Sequence, residues 1–247
     1  MQPGKPASQM STRELAAYID QSVLKPEFTQ DEIRRYIREG VDFGCATVCI
    51  NPSSLDIAIE MTRGTATGVC VVCDFPFGLS TTRSKVQQVH EYCRGGGVMD
   101  LDVVANYGWI RSGMYREVGE ELRAVADACH EHGVILKVIF ETDALSLDEV
   151  RAASEVAIEA GVDFLKTSTG FFTGGRSEGA TPEVIAAMMG VARGRCRIKG
   201  SGGIRDQARF FELIDMGIDR MGIGYKSTPV VLGLPAAPAQ PSAPGAY

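Results

Sequence analysis

No apolar run in this chain reaches the ~18 residues that a membrane-crossing helix needs. Its opening stretch, residues 1–11, is polar and has no apolar centre of the kind a secretory signal carries, so the expected location is cytoplasmic with no membrane partner. Basic charge is short too. Twenty-five Lys and Arg face 31 Asp and Glu, and a net charge of −6 argues against a general nucleic-acid binder. A phosphorylated small molecule is still allowed, because a local site can be built from backbone amides. Histidine is scarce: His90, His130 and His132 are the whole supply, and all fall in or just after helical stretches. That leaves no histidine triad for a catalytic metal, so neither metal nor other cofactor is expected.

Cysteine is the exception to this scarcity, with seven. The number is odd, the positions are scattered and most lie in apolar segments, which points to reduced core thiols. Cys70 and Cys73 form a C-x-x-C, but inside a strand pattern that turns positions i and i+3 to opposite faces. No second pair accompanies it, so it does not read as a zinc or redox site.

Hydrophobic residues make up 45% and charged residues 23%, with mean hydropathy near zero, which describes a soluble globular protein. Apolar, β-branched runs alternate with amphipathic helical stretches throughout. Strands are expected at 18–24, 47–50, 68–74, 99–104, 134–141, 163–168, 197–200 and 220–223. Helices are expected at 30–43, 53–62, 82–94, 112–131, 146–160, 182–192 and 206–216. Thr29 and Ser146 read as N-caps before acidic first turns, and Pro182 suits a first helical position. Gly40, Gly133, Gly161 and Gly217 read as helix ends.

Eight βα units within 247 residues favour a single-domain (β/α)8 TIM barrel of the α/β class. A doubly wound open sheet is the alternative, and no dinucleotide fingerprint follows the first strand to support it. The expected organisation is a flexible N-terminus at 1–11, a barrel at 12–233 and a flexible Pro/Ala-rich tail at 234–247.

In a barrel the active site lies at the C-terminal ends of the strands. Two lysines stand there: Lys166 before Thr167-Ser168-Thr169-Gly170, and Lys199 before Gly200-Ser201-Gly202-Gly203. A buried ammonium is costly without a partner, so lysines in two core strands call for a reason. The chemical reason is amine catalysis, in which a nearby second cation favours a neutral, nucleophilic amine. In the fourth strand Asp100, Asp102 and Val104 share a face, and Asp102 could carry protons beside that amine or serve as its ion-pair partner. Gly202 and Gly203, at a strand-to-helix turn, allow backbone amides to approach an anion.

These segments resemble deoxyribose-phosphate aldolases, class I Schiff-base aldolases with a (β/α)8 fold, over residues 16–233. The specific pieces are Lys166-Thr167-Ser168-Thr169-Gly170-Phe171 and Lys199-Gly200-Ser201-Gly202-Gly203-Ile204-Arg205. Ile19-Asp20-Gln21-Ser22, Phe75-Pro76-Phe77-Gly78 and Leu136-Lys137-Val138 add to them. The resemblance implies a lyase of carbohydrate catabolism that reversibly cleaves 2-deoxy-D-ribose 5-phosphate to acetaldehyde and D-glyceraldehyde 3-phosphate, without a cofactor. By the same resemblance Lys166 forms the imine, Lys199 assists it and joins the proton relay, and Asp102 is the relay carboxylate. Ser22, Thr169, Gly170, Gly202, Gly203, Gly222, Gly224 and Lys226 are the expected substrate and phosphate contacts. A homodimer is the expected assembly.

Three features depart from the family pattern. Gly222-Ile223-Gly224-Tyr225-Lys226 lacks the serines common in the eighth loop, and Lys226 offers a point charge instead. Gln21 stands where histidine is frequent, and residues 172–179 lengthen the sixth loop with Arg176 available to an anion. An aldolase with an altered, even unphosphorylated, acceptor and a non-catalytic sugar-phosphate-binding barrel are therefore the competing readings. Some family members end in a tyrosine that enters the site, and this chain ends in Tyr247 after a tail that can span roughly 20 Å as a coil.

Overall fold

The computed structural model describes residues 4–235 and has eight parallel strands closed into a barrel in chain order. They are β1 Ile19–Val23, β2 Thr47–Ile50, β3 Gly68–Cys73, β4 Val98–Val104, β5 Ile135–Ile139, β6 Phe164–Lys166, β7 Arg197–Ser201 and β8 Arg220–Gly224. The ladder closes where β8 pairs β1, with Gly222 opposite Asp20. The helices are α1 Thr12–Ala16, α2 Gln30–Phe43, α3 Leu55–Thr62, α4 Thr82–Cys93, α5 Tyr107–Arg111, α6 Tyr115–Glu131, α7 Leu147–Glu159, α8 Pro182–Ala192, α9 Gln207–Met216 and α10 Thr228–Val231.

Local chemistry explains the helix starts. Thr29 and Ser146 form capping boxes with Glu32 and Glu149, satisfying amides that the first turn leaves unpaired. Pro182 opens α8 behind the Thr181 cap. Gly40, expected to end α2, instead lies inside it. A side chain there would put its Cβ 2.8 Å from Val48 Cγ1, so the glycine serves close helix–strand packing, and Gly44 at φ 76° provides the cap. The helix expected over 112–131 is α6, which starts at Tyr115, and a short helix not expected from the sequence, α5, precedes it. Asn106 caps α5, its side chain accepting the Trp109 amide, and Gly113 at φ 69° breaks the chain between them.

The stretch 1–11, expected to be flexible, has local structure in its described part. Residues Ala7–Gln9 form a 3-10 turn, Ala7 is buried, and its amide donates to Asp215 at 2.7 Å. Of the tail at 234–247, residues from 236 on, Tyr247 among them, lie outside the described residues.

The main apolar core fills the space between the outer barrel face and the helices. Among the described residues the barrel interior is different. Its lower part holds charged side chains, and a small separate apolar cluster of Leu24, Cys49, Cys70 and Val72 fills its β1–β3 side, with Phe75 and Phe171 packed on it. Cys70 belongs to that inner cluster and Cys73 to the outer core, so the two thiols of the C-x-x-C do point apart. All seven cysteines are buried and free. One further buried cation lies outside the barrel. Lys85 on α4 meets Glu121 on α6 at 2.7 Å and donates to the carbonyls of Val104 (2.9 Å) and Gly78 (3.2 Å), tying down the loop after β3.

Candidate active site

Strand alternation turns Asp20, Asp100, Asp102, Lys137, Lys166, Lys199 and Arg220 into the barrel. Lys166 and Lys199 are register partners on β6 and β7. Both ammonium groups reach the same oxygen, Asp102 Oδ2, at 2.7 Å each. The second cation expected near Lys166 is reached through the Asp102 carboxylate, which lies between the two ammonium groups. Lys166 retains 2% exposure, while Lys137 and Lys199 are fully enclosed.

Below this trio lies a second tier. Lys199 is 2.6 Å from Asp20 Oδ2, and Arg220 is 2.7 Å from Asp20 Oδ1. Lys137 bonds Asp100 and lies 3.4 Å from Asp102 Oδ1. Four cations therefore share three carboxylates. Burying ions costs several kcal/mol each unless they are paired, and here every carboxylate meets at least two cations.

The titration of these groups follows from that arrangement. Burial would raise the Asp102 carboxyl, but Lys166, Lys199 and Lys137 outweigh it and hold it well below the usual carboxylate range. Burial likewise works to lower Lys199, yet Asp102 and Asp20 hold the ammonium well above its ordinary value. Asp20 is held down in the same way, with burial overcome by Lys199, Lys137 and Arg220.

Asp20, Lys137 and Arg220 were not singled out from the sequence as site residues. The signal was present: Lys137 interrupts the apolar run Ile135–Ile139 as Lys166 interrupts its own strand. Cys49, Cys70 and Asp102 do bring potential metal ligands within 4.8 Å of one another. Both Asp102 oxygens already face ammonium groups, and Cys70 donates to Oδ1 at 3.2 Å, so a dication would have to displace those contacts.

Above the charged tiers opens a pocket of about 430 Å³. Ser22, Thr169, Gly170, Gly202, Gly203, Gly222, Gly224 and Lys226 all line it, joined by Lys25, Ser201, Arg205 and Ser227. The loss of serines from the eighth loop is thus offset nearby, because Ser22, Ser201 and Ser227 bring hydroxyls to the same space. Tyr225 also lines the pocket, and its ring packs against that of Tyr36 with centroids 4.0 Å apart. The Thr169 hydroxyl is turned away to Glu141 and accepts the Phe171 amide at 2.9 Å.

Two expectations change here. The N-terminus of α9 is capped by Asp206, whose carboxylate accepts the Arg209 amide, so an anion would meet the loop 202–205 rather than the helix end. Arg176 is exposed and lies 3.3 Å from Glu178, outside the pocket. Its loop instead braces the site. Asp143 accepts the amides of Glu178 and Gly179, and a Cβ on Gly179 would lie 2.4 Å from the backbone of Gly202. Gln21 faces outward and donates to the Tyr36 carbonyl. His90 pairs with His132 and His130 with Asp163, all away from the pocket.

A family model described as "DeoC/LacD family aldolase" matches residues 15–227. The chain belongs to that family. It is 40% identical over 207 residues to the deoxyribose-phosphate aldolase of Staphylococcus carnosus, covering 84% of this chain and 91% of that one. A solved structure of a putative deoxyribose-phosphate aldolase from Coccidioides immitis aligns with a TM-score of 0.80 at 33% identity, covering 87% and 83% of the two chains. The deoxyribose phosphate aldolase of Aeropyrum pernix, described as a unique tetramer, aligns with a TM-score of 0.80 at 25% identity over 90% and 91%. Among the described residues no helix is long and apolar enough to cross a membrane.

Proposed function

We propose that this chain reversibly cleaves 2-deoxy-D-ribose 5-phosphate to acetaldehyde and D-glyceraldehyde 3-phosphate through a Schiff base on Lys166. The observation that carries the reading is the shared oxygen: Lys166 and Lys199 each lie 2.7 Å from Asp102 Oδ2, beneath a pocket lined by Lys25, Arg205 and Lys226. A module that only bound sugar phosphates would have no use for an amine, a fixed cation and a fixed carboxylate in one contact group.

The Lys166 amine attacks the C1 aldehyde, and loss of water leaves an iminium. The C3 hydroxyl gives up its proton along a relay of Asp102, Lys199 and water. Electrons of the C2–C3 bond then move to the iminium nitrogen, forming an enamine and releasing glyceraldehyde 3-phosphate. The enamine is protonated at C2, water adds to the new iminium, and acetaldehyde leaves with Lys166 restored. Before that transfer Asp102 rests ionised and Lys199 cationic, so the departing proton meets a carboxylate able to accept it and charge developing on the C3 oxygen meets a positive group. The phosphate fits the loops 202–205 and 222–227, with Ser22 and Gly170 at its side.

Tyr247 is proposed to assist protonation at C2, and its deletion should slow solvent exchange there. We also propose a cytoplasmic homodimer, which light scattering of the purified protein would test. Borohydride reduction with deoxyribose 5-phosphate present should fix a stable adduct on Lys166. Loss of that adduct in Lys166→Ala supports the reading, and absence of any adduct in the unmodified chain overturns it.

A further inference from the structure

Glycine aside, three of the described residues have a positive φ: Asp74, Glu141 and Arg193. Arg193 is the C-cap of α8, where a left-handed residue is ordinary. Asp74 and Glu141 instead follow β3 and β5 at the mouth of the barrel, and strain of this kind collects at functional sites. Asp74 ties its own loop, accepting the Ser80 amide at 2.8 Å and the Ser80 hydroxyl at 2.7 Å. Glu141 reaches across to another strand.

Its carboxylate is buried, and among the described residues no lysine or arginine pairs with it, unlike the carboxylates inside the barrel. Burial pushes the carboxyl up, and two hydrogen bonds from Thr169 act against that. Oε1 accepts the Thr169 amide at 3.2 Å, and Oε2 accepts the Thr169 hydroxyl. The backbone is shaped for this contact. The amides of Phe140 and Thr142 donate to the successive carbonyls of Lys166 and Thr167, so Glu141 is an extra residue between them, as in a bulge.

The strand it braces needs support, because β6 is three residues long and ends on Lys166. Thr167 and Ser201 exchange two bonds of 2.9 Å on the β7 side, and Glu141 holds Thr169 from the β5 side. Thr169 lines the pocket together with the loop 202–205. Its hydroxyl hydrogen is committed to Glu141, and one lone pair takes the Phe171 amide at 2.9 Å. Only a lone pair is left for a ligand.

We propose that Glu141 is a positioning residue that fixes Thr169 as a hydrogen-bond acceptor and so selects substrates carrying a hydroxyl on C4. This role presupposes the aldolase reading above. The C3 hydroxyl of deoxyribose 5-phosphate is engaged by the relay, which leaves the C4 hydroxyl as the donor between the cleaved bond and the phosphate. One well-matched hydrogen bond is worth about tenfold in binding.

The experiment compares cleavage of 2-deoxyribose 5-phosphate with that of 2,4-dideoxypentose 5-phosphate, which lacks the C4 hydroxyl, and reads the ratio of their kcat/KM values. In Glu141→Gln the amide oxygen can keep the Thr169 amide, while its NH2 group faces the hydroxyl and turns that hydrogen into the pocket. The ratio should fall about tenfold, mostly through KM for the hydroxylated sugar. Glu141→Gly suits φ 56° and removes the carboxylate. It should lose the same selectivity while its melting temperature holds or rises, and it serves if the first variant folds poorly. A ratio within twofold of the unmodified chain in a folded variant, whatever the loss in overall rate, overturns the positioning role alone. Absence of cleavage and of the borohydride adduct in the unmodified chain overturns the aldolase reading with it.

Discussion

Lys199 and Asp20 stand 2.6 Å apart, the seventh strand against the first, and their contact closes the charged interior across the barrel. Asp20 is one of the two carboxylates that hold Lys199 above its ordinary value. Asp20→Asn should therefore let the Lys199 ammonium lose its proton at lower pH. The expected result is a high-pH limb of kcat/KM displaced toward neutrality and an activity loss of about 10²-fold at neutral pH, in the range of general acid–base contributions. Rate profiles from pH 6 to 10.5 check both effects.

Acid should weaken the fold through the same network. Asp102 and Asp20 have depressed values in the folded chain, so the unfolded chain takes up protons first as pH falls. Their contribution is complete above about pH 4, the ordinary range of an unfolded aspartate. It declines as pH drops from there toward their folded values. Thermal melts between pH 7 and 2.5 should show a nearly level midpoint above pH 4 and a steep decline below it. The high values of Lys199 and Lys137 act at the other end. Their contribution is present below an unfolded lysine's ~10.4 and is lost as pH rises through the folded values.

Lys85 offers a test with no catalytic role. Lys85→Met leaves Glu121 buried without its cation and the carbonyls of Gly78 and Val104 without a donor. Breaking a buried pair from one side typically costs about 3–5 kcal/mol. The double variant Lys85→Met with Glu121→Leu removes both charges and should recover part of that loss. Urea unfolding of the three chains measures the difference.

Gly179 links the sixth loop to the anion pocket. Its φ of 67° and its approach to Gly202 exclude a side chain, so Gly179→Ala must displace the backbone beside Gly203. KM for deoxyribose 5-phosphate should rise about tenfold, with a smaller change for unphosphorylated deoxyribose. Equal changes for the two sugars would show that the loop does not shape the phosphate half.

Much of this organisation could be read from the chain because strand and helix periods alternate cleanly. Lys166, Lys199 and Asp102 stood out because a charge inside an apolar strand is expensive. The same logic reached Asp100 but stopped short of Asp20, Lys137 and Arg220. Asp20 meets Lys199 and Arg220 only because barrel closure makes β1 and β8 neighbours, whereas Lys137 finds Asp100 and Asp102 on the adjacent β4 and was within reach of the same logic. The role of Gly40 was misread because a helix-internal glycine and a helix-ending one look alike until the packing against Val48 is known. Asp206 hid the α9 cap in the same manner: a carboxylate after two glycines gives no hint that it will occupy the helix end itself.

The surplus of one cation inside the barrel bears on how the proposed reaction would proceed. A protonated Lys166 and an iminium on Lys166 carry the same charge, so imine formation from the ammonium state asks for no new counterion. When electrons collapse onto that nitrogen to give the enamine, the C3 proton has entered the relay beside Asp102 and Lys199, so the positive charge passes from the iminium to the relay. The net charge of the interior would stay constant while its location moves by one contact, and bond cleavage would proceed with little dielectric rearrangement around it.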